Sequence, residues 1–163
     1  MIRLRCGFLV VATIGSTFFV NTSAVAGETI KFHSKHINVA KTFDTQELED
    51  EEGHIIAKFH AQGVGVRIEG PAEPPYKIEI WGTGDYHGDG TGNDQGYGKF
   101  IFSDGSSYFE RWSGTVAEGK ATGTAVYYNG TGRFAGLEGG SKYDCTLLGD
   151  RFACDVDGTI KLP

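Results

Sequence analysis

The chain has 163 residues, of which 21 are acidic and 15 basic, giving a formal net charge of −6. That length suits one domain, and the acid excess disfavours nucleic acid and anionic membrane as partners. Glycine supplies 25 residues, about twice the usual share. The glycines are spread through stretches rich in Thr, Tyr, Phe and Val, a combination that predicts short strands and tight turns rather than helices.

The chain opens on a basic segment, Met1-Ile2-Arg3-Leu4-Arg5. An apolar run, CGFLVVATIGSTFFV, follows, and an A-x-A pattern ends at Ala26. This order reads as a secretory signal peptide cleaved after Ala26, leaving residues 27–163 as a single domain. The run is short for a membrane anchor and is broken by Gly and Ser. Cys6 lies too early to be a lipidated residue at the cleavage site. Loss of Arg3 and Arg5 makes the exported chain more acidic still. No later stretch is apolar enough to span a bilayer.

Strands are predicted over Thr29–Thr42, His54–Glu69, Tyr76–Trp81 and Ala121–Asn129. The acidic run Thr45–Gly53 reads as a solvated loop or a short helix, and Pro71–Pro75 as a stiff turn. Thr83–Gly96 reads as the longest flexible loop, a lid with Tyr86 and His87 at its tip. Its Asp85, Asp89, Asn93 and Asp94 raise the question of calcium, but the spacing is not that of an EF-hand and no Glu sits at the required offset. The five histidines do not assemble into a site. His33 and His36 fall on opposite strand faces, and His54 and His60 lie about 20 Å apart along one strand. No metal and no cofactor is expected. There is no G-x-S-x-G nucleophile elbow.

Asp104-Gly105 is a strong signal for a two-residue hairpin loop. On that register Ile101 faces Tyr108, Lys99 faces Glu110 and Tyr97 faces Trp112. The opposite-charge match of Lys99 with Glu110 marks that face as the wet one. Phe100, Phe102, Phe109 and Arg111 then point inward. A two-residue loop at Glu118-Gly119 carries the inward face on through Thr122, Thr124, Val126 and Tyr128. The cavity candidates are therefore Phe100, Phe102, Phe109, Arg111 and Tyr128. A buried Arg111 requires a protein acid or an anionic ligand group; otherwise it faces solvent.

Asn129-Gly-Thr-Gly-Arg-Phe-Ala-Gly136 is close to a dinucleotide fingerprint. A dinucleotide site needs a full helix and a returning parallel strand, whereas an antiparallel hairpin follows here. Gly130, Gly132 and Gly136 are read as shaping a turn, with Phe134 plugging one barrel end. In the last hairpin, a two-residue loop at Gly149-Asp150 sets Leu148 against Arg151 and Cys145 against Cys154. The cysteines meet at a non-hydrogen-bonded pair, where side chains are closest, and the spacing predicts a disulfide. A reactive thiol pair and a metal site are the alternatives; neither has a helix or a CxxC behind it. The count comes to about eight antiparallel strands. The predicted fold is all-β, a single closed, calycin-like barrel with a short helical turn near the C-terminal hairpin.

The strand, the Gly-Thr-Gly-Arg-Phe-Ala-Gly turn with Gly139 beyond it, and the closing hairpin together resemble the allene oxide cyclase-like barrel superfamily, which includes the dirigent proteins and small exported bacterial proteins. Asp104-Gly105-Ser106 and Trp112-Ser113-Gly114-Thr115 are similar to the bacterial members. The likeness covers Tyr97 to Thr159. It implies an eight-stranded barrel with a central cavity, often assembled as a homodimer or homotrimer, exported to the periplasm or outside a bacterial cell. No stretch matches the catalytic residues of the cyclases or the dirigent proteins.

Three functions compete at this point. The barrel binds a small apolar or amphipathic ligand, or it is a cofactor-independent isomerase or cyclase, or it is a filled structural module acting through its exterior. An acid inside the barrel favours the second. Trp81, Tyr97, Trp112 and Tyr127 on the outside favour the third.

Overall fold

The structure, a computed structural model, describes residues 27–163; the segment read as a signal peptide lies outside them. Eight strands run in chain order: β1 (Thr29–Glu47), β2 (Ile55–Glu69), β3 (Tyr76–Tyr86), β4 (Gly92–Ile101), β5 (Ser107–Ala117), β6 (Lys120–Thr131), β7 (Glu138–Leu148) and β8 (Arg151–Lys161). Each pairs antiparallel with its chain neighbour, and β1 pairs with β8 to close an up-and-down barrel. The only helical element among the described residues is a 3₁₀ turn, Gly132–Phe134. The all-β closed barrel expected from the sequence is thus what forms.

Two expected loops are shorter than the sequence suggests. β1 runs through Thr45–Glu47, so the acidic connection shortens to residues 48–54. The glycine-rich segment from Thr83 is ladder on both sides, and only residues 87–91 turn. Glycine content suggested flexibility there. In a closed barrel the inward glycines have another use, because they leave room for large side chains from adjacent strands. A methyl group at Gly82 would strike the Phe59 ring, one at Gly65 the Tyr76 ring, and one at Gly98 the Glu110 carboxyl.

The two barrel ends differ. The connections after β2, β4 and β6 share one end with both termini. There Phe32, Tyr76, Phe102, Tyr108, Tyr127, Phe134, Leu137 and Ile160 are buried in one largely aromatic cluster, and Phe134 packs between Phe102 and Tyr108, tilted against the first and edge-on to the second, with centroids 4.7 and 5.1 Å away. The Gly-Thr-Gly-Arg-Phe turn therefore lies over a closed end. Gly132 and Gly136 have φ of 59° and 76°, backbone that a Cβ disfavours. Arg133 ties this end together. Its guanidinium bonds Glu73 at 2.7 Å and Ser106 at 3.3 Å, and lies over the Phe102 and Phe134 rings.

The last hairpin has the expected register, with Leu148 opposite Arg151 and Cys145 opposite Cys154. Gly149 opens its loop at φ 69°. The two cysteines are bonded, with Cα atoms 3.9 Å apart.

The β4–β5 hairpin departs from expectation by one residue. Phe102 closes against Ser106 (N–H to O, 3.0 Å), and the Gly105 N–H donates to the Phe102 carbonyl at 3.0 Å. Ser103, Asp104 and Gly105 therefore form a three-residue loop, with Gly105 at φ 82°. This is a turn followed by a left-handed bulge residue. Gly98 now opposes Glu110, and Lys99 opposes Phe109. A slip of one residue turns over every side chain of β5.

Candidate functional site

The open half of the barrel holds a cavity of about 410 Å³ beneath the mouth formed by the turns after β1, β3, β5 and β7. That volume lies in the range of small-molecule sites. Its apolar wall includes Phe43, Phe59, Ile80, Val116 and Phe152, with the Cys145–Cys154 bridge on one side. Its polar lining includes His36, Asn38, Asp94, Glu110, Ser141 and Tyr143, with Trp112 and Tyr86, and Asp150 and Arg151 at the β7–β8 turn.

The register slip decides which residues face it. Tyr108, Glu110 and Trp112 point inward, while Phe109 and Arg111 lie on the outer face. The same reversal carries into β6. The Glu118-Gly119 loop is a two-residue turn as expected, both residues having positive φ, but it inherits the shifted face. Tyr127 is buried, and Tyr128 packs outside against Phe109. Of the five cavity candidates, Phe109, Arg111 and Tyr128 are thus on the exterior. Phe100 and Phe102 point inward but belong to the packed closed half. Trp112 and Tyr127, expected outside, are inside. Trp81 and Tyr97 are exposed and face each other across β3 and β4.

The inward arginine is Arg67, which lies over the ring of Phe32 on the neighbouring strand β1, 4.2 Å from its centroid. Its position on β2, in step with buried Ala57 and Ala61, puts it inside. Tyr86 closes the strand before the turn and lines the cavity, while the neighbouring His87 turns toward the β1–β2 connection. The expected lid is therefore a five-residue turn with one residue on each side of the wall.

Electrostatics inside the cavity follow from burial. Loss of water raises the Glu110 carboxyl to about 8 and the Asp94 carboxyl to about 6. Glu110 is walled in by the sheet yet keeps accessible surface, because it faces the cavity rather than packed side chains. His36 is pushed down to about 4 by burial and is therefore neutral near pH 7, with its Nε2 3.0 Å from the Tyr76 hydroxyl. Burial also raises Tyr86 and Tyr143. Four buried polar atoms on cavity-lining side chains have no hydrogen-bond partner among the described residues: Asn38 Oδ1, Asp94 Oδ1, Trp112 Nε1 and the Tyr143 hydroxyl.

Sequence reasoning missed Glu110, Asp94, His36, Trp112 and Tyr143 as site residues. Asp94 falls in a stretch whose glycines read as loop, and the apparent match of Glu110 to Lys99 points that carboxyl outward. The retrievable signal was Gly98, whose missing side chain is what Glu110 occupies.

No family model matches the sequence, and no curated protein matches it. Solved structures do. A pterocarpan synthase dirigent protein superposes with a TM-score of 0.51 over 93% of this chain and 96% of that one, at 10% identity. The fold is a dirigent-like barrel. A protein of unknown function from Clostridium acetobutylicum ATCC 824 superposes with a TM-score of 0.53, covering 82% of this chain and 97% of that one, at 8% identity. At such identities the dirigent-like likeness concerns the fold alone. No helix of the described residues is long and apolar enough to cross a membrane.

Proposed function

We propose that this dirigent-like barrel is an exported protein that binds a small, mostly apolar molecule in its open half. The observation that carries the reading is the set of four unpartnered polar atoms on the lining side chains. Buried polar groups are normally paired. An apolar cavity with a few unpaired donors and acceptors suits a ligand with a ring-like body and two or three polar substituents. Near neutral pH Glu110 is a neutral donor, so the ligand needs no positive charge to be held. The disulfide suits export to an oxidising compartment.

A second reading is favoured by one particular observation. Asp94 and Glu110 have raised and unequal pKa values, about 6 and about 8. At pH 7 one is mostly ionised and the other mostly protonated, the division of labour that general acid–base chemistry uses. An isomerase or cyclase without a cofactor would take a proton on Asp94 and supply one from Glu110, while the cavity excludes water. The interior acid that the sequence seemed to lack is therefore present.

Native mass spectrometry of the protein purified gently from its own host, with binding of the neutral dye N-phenyl-1-naphthylamine, tests the first reading. Ala121 is buried on the cavity wall, so Ala121→Phe should remove both a retained adduct and the dye signal while leaving circular dichroism unchanged. Absence of any adduct, with dye binding indifferent to A121F, would overturn it. The same spectrum reads the subunit number. A dimer or trimer would use an outer surface such as the row His60, Trp81 and Tyr97, in which the first two rings stack at 5.6 Å.

A further inference from the structure

We propose that the corner where the β1–β2 connection meets the β3–β4 turn binds a divalent transition ion, zinc foremost, through Glu51, His54 and His87. One ligand atom from each of these three residues lies within 4.8 Å of the other two. Among the described residues this is the one such group. The His54 and His87 rings stack with centroids 4.7 Å apart and 29° between planes. Zinc–nitrogen bonds near 2.0–2.1 Å set the ligand atoms of a tetrahedral ion roughly 3.3 Å apart, so closure needs only small side-chain rotations.

The surroundings supply what a metal site needs beyond its ligands. His54 is nearly buried, with Nδ1 2.7 Å from Asp50 and Nε2 2.8 Å from Asp85. His87 Nδ1 lies 2.5 Å from Glu51. Carboxylates against ligating imidazoles fix their orientation. Both His54 nitrogens face carboxylates; the ion takes the place of the proton on the nitrogen that ligates it, and that proton leaves to solvent. Asp50, Glu51 and Asp85, with Glu52 and Asp89 bordering the adjacent hollow, give a field that draws a cation.

The backbone is already in place. Gly53 and Gly88 meet so closely that a methyl group on either would strike the other turn. Leu48 N–H donates to the His54 carbonyl at 2.9 Å, and His87 N–H to the Thr91 carbonyl at 2.8 Å. Two imidazoles with one carboxylate form a borderline donor set that suits zinc, whereas calcium and magnesium take oxygen. Ile55 and Tyr86, the neighbours of His54 and His87, line the cavity. An ion here would pin the first two hairpins together at one side of the mouth.

The test is titration of tag-free, chelator-stripped protein with zinc chloride, read by calorimetry and by competition with a zinc-chelating dye. Cobalt chloride gives a second readout through its visible bands. One ion per chain is expected. His87→Gln and Glu51→Gln, the first half-buried and the second exposed, should abolish or strongly weaken binding without altering circular dichroism. Asp85→Asn, which leaves the ligands intact, should weaken it about 10–100-fold. His33→Ala and His60→Ala, at imidazoles elsewhere on the barrel, should have no effect. Failure to bind zinc, or binding that survives H87Q but falls with H33A or H60A, would overturn the assignment.

Discussion

At the residue scale the most consequential side chain is Glu110. Its folded-state pKa is raised from 4.5 to about 8, so the folded chain favours its protonated form. The stability this confers is fully present below about pH 4.5 and is lost as pH rises through about 8. Asp94 adds in the same direction between 3.8 and about 6. His36 works oppositely. Its folded value of about 4 lies below 6.5, so its contribution is present above 6.5 and is lost as pH falls through 4. Glu110→Gln should remove the alkaline loss attributable to Glu110. We expect nearly equal stabilities for the two proteins at pH 5, and E110Q more stable at pH 9 by about 2–4 kcal/mol. Thermal melts at the two pH values check this. Parallel curves would show that Glu110 ionises freely.

At the element scale the informative comparison is between two hairpins. The β7–β8 hairpin was legible because glycine at the first position of Gly149-Asp150 fits a two-residue loop, and the cysteines then coincide. The β4–β5 hairpin was not, because Asp-Gly serves equally as the middle of a two-residue loop and as the end of a three-residue one. Locally nothing separates the two. The choice is made by the aromatic plug, which requires Tyr108 and not Phe109 to meet Phe102 and Phe134. Fold class and disulfide were therefore readable from local pattern. The cavity lining was not, because it depends on one register step propagated through two strands. His54 and His87 escaped for a related reason, since they meet only when the chain closes two separate hairpins. The connections also carry load. Glu73 is only 6% exposed and pairs with Arg133. Arg133→Ala should leave that carboxylate unpaired, costing about 1–3 kcal/mol, measured by urea denaturation. An unchanged midpoint would mean that Arg133 contributes no net stability.

At the scale of the whole molecule, strand pairing is local except at one seam. Seven ladders join consecutive strands, and the eighth joins β1 to β8. Folding can therefore proceed hairpin by hairpin, with a single long-range closure that pays most of the loop entropy. The seam also divides labour between the ends. The termini, the Arg133 clamp and the aromatic plug occupy the closed end. The cavity, the disulfide hairpin and the His54–His87 corner occupy the other.

That seam brings Thr29 opposite Lys161, and the Leu162 N–H donates to the Glu28 carbonyl at 3.0 Å. Joined there by a few linking residues, the described chain becomes a ring, and where it starts is then a matter of choice. A circular permutant opened between Glu118 and Gly119, where Glu118 sits at φ 52°, would relieve a backbone conformation that favours glycine. It would move both ends to the rim of the mouth. Circular dichroism like that of the parent, with N-phenyl-1-naphthylamine still bound, is the expected outcome; a chain that stays unfolded would show that β1 must be made first.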